Sequence, residues 1–169
     1  MKIQTINKEF ALKHFERIVY LHNLIPFQHW TRDDLLMESD TSREYLFKWQ
    51  ISMAALIENE IIGICISFYN NTNSNNHLYI HRLCVAPEFR LHGIGRELCI
   101  ESCKAFTRIV PKETCNNLLV QSPLDKYIQP HETVSGFYRK IGLDEKSIKK
   151  YSNKEDIVYS SRIDKFINH

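Results

Sequence analysis

The chain has 169 residues, and its 22 basic and 20 acidic side chains leave a formal charge of +2, too balanced for a general nucleic-acid binder. A hydrophobic fraction of 43% and a charged fraction of 25% are ordinary for a globular protein, so one domain over residues 1–169 is expected, with a core needing no staples. No run approaches the roughly 18 apolar residues of a membrane span, and Met1–Ile6 lacks the apolar centre of a signal peptide, so the expectation is a cytoplasmic protein without a membrane partner.

Lys2–Ile6 alternates as a short strand, and Asn7 can cap a helix over Lys8–His22 with apolar residues at 10, 12, 15, 18, 19 and 21. Pro26 interrupts that pattern. Thr31 opens a second short helix, with Asp33 and Asp34 in its first turn, and Glu38–Arg43 reads as a loop. Ile51–Ile57 and Ile61–Tyr69 are β-rich runs joined by Glu58-Asn59-Glu60, as in a hairpin. A polar loop, Asn70–Asn76, precedes a strand over Leu78–Val85 that Pro87 stops.

From Gly93 to about Arg108 the apolar positions 94, 98, 99, 103 and 106 mark one helical face. Leu118–Gln121 reads as a buried strand, and Pro123–Glu132 as a proline-bounded insertion. Thr133–Ile141 is a helix with Gly142 suited to its C′ position. Leu143–Tyr151 and Ile157–Ile163 are the last strands. The order β, α, α, β, β, β, loop, α, β, α, β, β describes an α/β fold. The strand-loop-helix-strand unit implies a right-handed crossover and locally parallel strands, and its neighbours favour antiparallel pairing, giving a mixed sheet.

Cys65, Cys84, Cys99, Cys103 and Cys115 are an odd number without CxxC spacing, mostly inside apolar runs. They read as buried free thiols of a reducing compartment, and Cys99 and Cys103, at i, i+4, as core packing rather than a metal pair. No metal is expected.

The stretch Arg90-Leu91-His92-Gly93-Ile94-Gly95 carries the functional signal. Two glycines let backbone approach a ligand, and the helix that starts there offers unpaired N–H groups and the positive end of its dipole to an anion. Arg90 and Arg96 add charge suited to phosphate oxygens. A nucleotide P-loop would need Gly-Lys-Ser or Gly-Lys-Thr, which does not occur here. A dinucleotide fingerprint would need a third glycine where Leu98 stands.

The spacing Leu83-x-Val85-x-Pro87-x-x-Arg90-x-x-Gly93-x-Gly95-x-x-Leu98 resembles the acetyl-CoA loop of the GCN5-related N-acetyltransferases (GNAT), usually written Q/R-x-x-G-x-G/A. Ser135-Gly136-Phe137-Tyr138-Arg139-Lys140-Ile141-Gly142-Leu143 resembles that family's F-Y-x-x-x-G-F/L segment. The resemblance implies a mixed sheet of about six to seven strands flanked by about four helices, splayed between strands 78–85 and 118–122. It also implies acetyl-CoA as cosubstrate. The pantetheine arm would lie along the strand Leu83-Cys84-Val85, and the pyrophosphate on backbone N–H groups of Leu91, His92, Gly93, Ile94, Gly95 and Arg96. Arg90, Ser135 and Tyr138 complete the expected cosubstrate contacts.

In the same resemblance the Val85 N–H polarises the thioester oxygen, and Tyr138 protonates the departing sulfur, since a phenol can donate while staying neutral. His81, four residues before Val85, is the candidate base, with His77 a weaker second member. By strand parity His77, Tyr79, His81, Leu83 and Val85 should share one side, and Cys84 should face away from it, which disfavours a covalent acetyl-enzyme. Arg82, of opposite parity, is expected to pair with an acidic neighbour or pack on the far face. His131 stands where the family often has a CoA-contacting asparagine.

The acceptor is expected to be an amine held between residues 22–37 and the 123–132 insertion. Phe27, His29 and Trp30 are candidates for one wall, and Tyr127, Gln129 and His131 for the other. A monomer or homodimer is expected. A catalytically weak acyl-CoA sensor of the same fold is the alternative, and it would need neither Tyr138 nor His81.

Overall fold

A computed structural model describes residues 1–24, 31–36, 46–71, 76–123, 134–152 and 155–168. Within these residues seven strands form one sheet: β1 (Lys2–Thr5), β2 (Met53–Ile57), β3 (Glu60–Asn70), β4 (His77–Val85), β5 (Asn117–Pro123), β6 (Asp144–Lys150) and β7 (Glu155–Arg162), in the spatial order β1-β2-β3-β4-β5-β7-β6. Every pairing is antiparallel except β4 with β5, so the sheet is mixed, as expected. The helices are α1 (Lys8–Lys13), α2 (Phe15–Asn23), α3 (Arg32–Leu36), α4 (Lys48–Ile51), α5 (Ile94–Thr107), α6 (Val134–Lys140) and α7 (Ile163–Asn168), with a 3-10 turn at Pro87–Phe89.

Two apolar clusters sandwich the sheet. One joins α5, α6 and α7 to Leu78, Ile80, Leu118, Val120 and Tyr159. The other joins Ala11, Ile18, Leu21 and Leu35 of α1–α3 to Ala54, Ile64, Ile66 and Cys84. Strands in the middle of the sheet are therefore buried on both faces, which is why β3 reads as a nearly continuous apolar run.

Several expectations are corrected. The helix expected over residues 8–22 is broken at His14, whose backbone (φ −109°, ψ 23°) leaves the helical region while its ring packs, tilted by 37°, against Phe10 at 4.4 Å. Ile51 closes the short helix α4 rather than opening a strand, because an apolar run alone does not distinguish the two. The strand expected through Ile163 stops at Arg162, and a seventh helix follows with Ile163 and Phe166 fully buried. Its start is held by a distant residue, since Asn116 accepts from Ile163 N–H through its carbonyl and from Asp164 N–H through its side chain. The helices, expected to number about four, are thus seven among the described residues. α6 ends as the sequence indicates. Gly142 takes φ +98°, and the N–H groups of Gly142 and Leu143 close on Arg139 and Tyr138 carbonyls in a Schellman motif.

Lys48 is buried beneath α3, donating from Nζ to the Leu35 carbonyl with the Trp49 ring 4.5 Å away. Burial pulls its pKa down to about 7. The folded value lies below the unfolded one, so the charged side chain penalises folding below about pH 7, and the penalty fades between there and roughly pH 10. Lys48→Met should therefore stabilise the protein more at pH 6.5 than at pH 9.5, by about 1–2 kcal/mol in urea denaturation. An equal effect at both pH values would contradict this.

Candidate active site

β4 carries the centre of the site, and its register with β3 changes in mid-strand. Arg82 pairs with Ile66, but the next pair is Ile80 with Ser67, so His81 is an extra residue, a β-bulge. Leu78 and Ile80 before the bulge, and Leu83 and Val85 after it, all pack on the α5 side. His81 does not join them. Its ring lies 5.5 Å from Phe68 and 5.9 Å from Tyr79, on the α2 side, and His77 continues the row 6.0 Å from Tyr79. The shared side expected for His77, Tyr79, His81, Leu83 and Val85 is therefore wrong. Strict alternation holds only within an unbroken ladder.

The parallel pairing of β4 with β5 covers Leu78–Leu118, Tyr79–Leu119 and Ile80–Val120 and goes no further. The two strands part at the bulge, which puts the expected splay between them. The Ala86 N–H donates to Ile62 on β3 at 2.8 Å, so backbone groups of even-numbered residues here face β3 and those of Leu83 and Val85 face the splay. Arg90 reaches the same edge, its Nε donating to the Val85 carbonyl at 3.0 Å. That contact anchors the glycine loop to β4, a role the residue pattern did not indicate for Arg90. Cys84 points to the α2 side as parity required, and its Sγ donates to the Leu21 carbonyl at 2.7 Å.

The loop itself is shaped by left-handed residues. Leu91 (φ +66°) and Gly93 (φ +80°) bracket His92, whose Nδ1 is 2.7 Å from the Arg90 carbonyl. Gly93 is the N-cap of α5, whose first backbone bond runs from Glu97 N–H to the Gly93 carbonyl. The N–H groups of Ile94, Gly95 and Arg96 therefore have no partner inside the helix, as an anion-binding end would require. The two glycines have different reasons. Gly93 supplies a backbone conformation in open space, whereas a Cβ on Gly95 would sit 3.2 Å from Phe137 Cζ. Gly95 thus lets α6 pack on α5.

That packing sets Tyr138, the neighbour of Phe137. Tyr138 is 6% exposed, in the α5-side cluster, with its ring 5.2 Å from Tyr159. Burial pushes its phenol well above the usual tyrosine value, and nearby Cys99, Cys65, Tyr79 and Tyr159 add to the shift. The five cysteines are all buried thiols, and burial raises Cys103 strongly.

Ser135 belongs to α6, but its side chain lies outside the described residues, as do Phe27, His29, Trp30, Tyr127, Gln129 and His131. All but the first residue of the 123–132 insertion lie outside them too. Pro123 is the end of β5. A cleft of about 760 Å³ opens between β1, α1 and the β2–β3 turn, lined by Gln4, Phe10, His14 and Leu56. It includes none of the site residues named above.

A family model of the GNAT acetyltransferases matches residues 16–117, more than half of the chain, which therefore belongs to that family and is an acetyltransferase. Among curated protein sequences none matches. Solved structures share the fold. Arabidopsis thaliana Naa50 in complex with the bisubstrate analogue CoA-Ac-MVNAL aligns with TM-score 0.67 and 13% identity over 95% of this chain and 97% of its own. Ard1 from Thermoplasma volcanium gives 0.69 and 14%, covering 95% and 96%. An aminoglycoside 6′-N-acetyltransferase complexed with coenzyme A gives 0.66 and 16%, covering 96% and 97%.

The distinct roles of the glycines can be separated with one residue type. Asparagine tolerates positive φ but has a Cβ. Gly93→Asn should cost less than about 1 kcal/mol, and Gly95→Asn about 2–3 kcal/mol as Phe137 is displaced. Thermal melts would reveal equal costs if this division were wrong.

Proposed function

We propose that the chain transfers the acetyl group of acetyl-CoA directly to a primary amine of a small molecule or a peptide, and that residues 1–169 form one N-acetyltransferase domain. The observation that carries this reading is the splay. β5 leaves β4 after Ile80, while Leu83 and Val85 keep their backbone groups turned toward the gap and α5 starts at its end. An extended amide-bearing chain can pair with the Leu83 and Val85 edge like an added strand, while a pyrophosphate takes the amides from Leu91 to Arg96. The named complexes of similar structures with a CoA bisubstrate analogue and with coenzyme A support this.

Bound acetyl-CoA supplies an acyl group activated by its thioester. An alkylamine with a pKa near about 10.4 is protonated at neutral pH and must lose a proton before it can attack. His81, directly or through water, takes that proton on the α2 side of the sheet. The Val85 N–H donates to the thioester oxygen as negative charge grows there. As the bond from carbon to nitrogen forms and the bond from carbon to sulfur breaks, Tyr138 donates its phenolic proton to the sulfur. Return of the proton from His81 through solvent to Tyr138 resets the site. The bulge supports this division: base and acid approach from opposite faces of the sheet, with the gap between them.

The acceptor walls follow from the same frame. α3 and the end of α2 are the described part of one wall. The named acceptors of similar structures differ, an aminoglycoside in one and a peptide in another, so the acceptor is best found by experiment. CoA release should be measured against a panel of polyamines, amino acids, aminoglycosides and peptide N-termini. No release, with no rise in melting temperature on adding acetyl-CoA, would overturn the reading.

Tyr138→Phe should bind acetyl-CoA as the parent does and lose at least about tenfold in turnover. Because the folded phenol titrates well above its ordinary value, it remains a proton donor across the assay range. Wild-type turnover should thus show no fall up to about pH 10 that Tyr138→Phe removes. Unchanged turnover in the variant would rule out the acid role of Tyr138.

A further inference from the structure

The end of α2 is fastened to β4 by a planar clamp as well as by the Cys84 thiol. Arg82 donates from Nε to His22 Nε2 at 2.8 Å and from a second guanidinium nitrogen to the His81 carbonyl at 2.7 Å. One rigid group therefore spans the last turn of α2 and the extra residue of the bulge. A bulge leaves local backbone groups out of the regular ladder, and the Arg82 contact satisfies one of them. His22 is fully buried, so the clamp lies between the sheet and the helix rather than on the surface.

α3 belongs to the same electrostatic neighbourhood. The Asp34 carboxyl is held below its usual range, first by hydrogen bonds from Thr31 and then, more weakly, by the positive charge of Arg82. The clamp thus ties the bulge that carries His81 to the end of α2, whose Leu21 shares an apolar cluster with Leu35 of α3. α3 and the end of α2 form the described part of the acceptor wall.

The hydrogen-bond chemistry imposes a condition. Arg82 has only donors, so His22 Nε2 must carry a lone pair, and the imidazole proton sits on Nδ1, 3.1 Å from Asn23 Oδ1. A second proton on His22 would set two cations against each other at the 2.8 Å contact. Arg82 and burial favour the neutral ring, whereas Asp34 from α3 favours the charged one. Of the other titratable groups of β4 on this side, Cys84 is engaged at the Leu21 carbonyl, and His81, Tyr79 and His77 form a row of ring contacts along the strand. Toward β3, the charged pair Arg17–Glu60 belongs to the opposite end of α2.

We propose that Arg82 and His22 are a positioning pair, which sets the acceptor wall against the bulge and holds only while His22 is neutral. The inference rests on the acetyltransferase reading and adds to it two residues that touch neither donor nor acceptor. Loss of the clamp loosens the wall and weakens acceptor binding, and leaves the acetyl-CoA site on the other face unchanged. Acidification does the same to the native protein.

The test compares wild type with Arg82→Gln, Arg82→Lys and His22→Gln at pH 6 and pH 8, using an amine identified by the panel. Arg82→Gln should raise the acceptor KM at least about fivefold, with the acetyl-CoA Kd within about twofold by calorimetry. Arg82→Lys, a point donor without the planar fork, should recover only part of the loss. Glutamine at position 22 offers an amide oxygen to Arg82 and does not titrate. His22→Gln should therefore keep the acceptor KM within about threefold at pH 8 and lack the additional rise that wild type shows at pH 6. Ionisation of the amine itself is common to both proteins and cancels in that comparison. An unchanged KM in Arg82→Gln, or the same acid-side rise in His22→Gln as in wild type, overturns the inference while the acetyltransferase reading stands. A wild-type protein that binds no acetyl-CoA and acetylates no amine overturns both. If Arg82→Gln does not fold, as judged by circular dichroism, the KM of Arg82→Lys and the pH dependence of His22→Gln decide between these outcomes.

Discussion

One extra residue in β4 organises the candidate site. Between Ile80, paired with Ser67, and Arg82, paired with Ile66, His81 has no counterpart on β3. An added residue bends a strand and shifts the phase of its side chains. Here it lets Leu78, Ile80, Leu83 and Val85 all join the α5-side core, while His81, Arg82 and Cys84 go to the α2 side. The same irregularity coincides with the end of pairing between β4 and β5, so the gap and the reassignment of faces have one origin. Seven strands otherwise form a continuous sheet, and the gap is an interruption inside a well-buried frame.

The two faces then divide the labour. On the α5 side, Gly93 starts the helix, Gly95 admits Phe137, and Phe137 brings Tyr138 with it, so the loop and the buried phenol are linked by a single close helix contact. Arg90 joins this unit to the β4 edge through the Val85 carbonyl. On the α2 side, Cys84 and Arg82 hold the end of a helix whose own side chains fill the second core. Close packing on both faces is what allows a gap between two strands to persist, since interiors at crystal-like density relax little around a local defect.

Much of this was legible in residue order. The glycine loop, the valine and proline before it and the amphipathic pattern after it place α5, and Gly142 places the end of α6 because few residues accept φ +98°. Other features left no such trace. Ile51 lies in an apolar run that suits helix or strand, and His14 breaks a helix without a glycine or proline to announce it. The helix at the end of the chain depends on a cap from Asn116, 48 residues from Asp164. The Arg82–His22 contact spans 60 residues, and nothing local to either one signals the other.

Residue types and spacing by themselves determined the α/β class, the shape of the glycine loop and the family resemblance, because these are properties of short segments whose backbone needs are written in glycine, proline and apolar period. Tertiary structure alone decided which side of β4 each residue serves. Strand register is set by pairing with a neighbour, and a bulge has no signature in the strand that carries it. Whether His81 shares a face with Val85 was therefore settled on β3, by the partners available at Ile66 and Ser67.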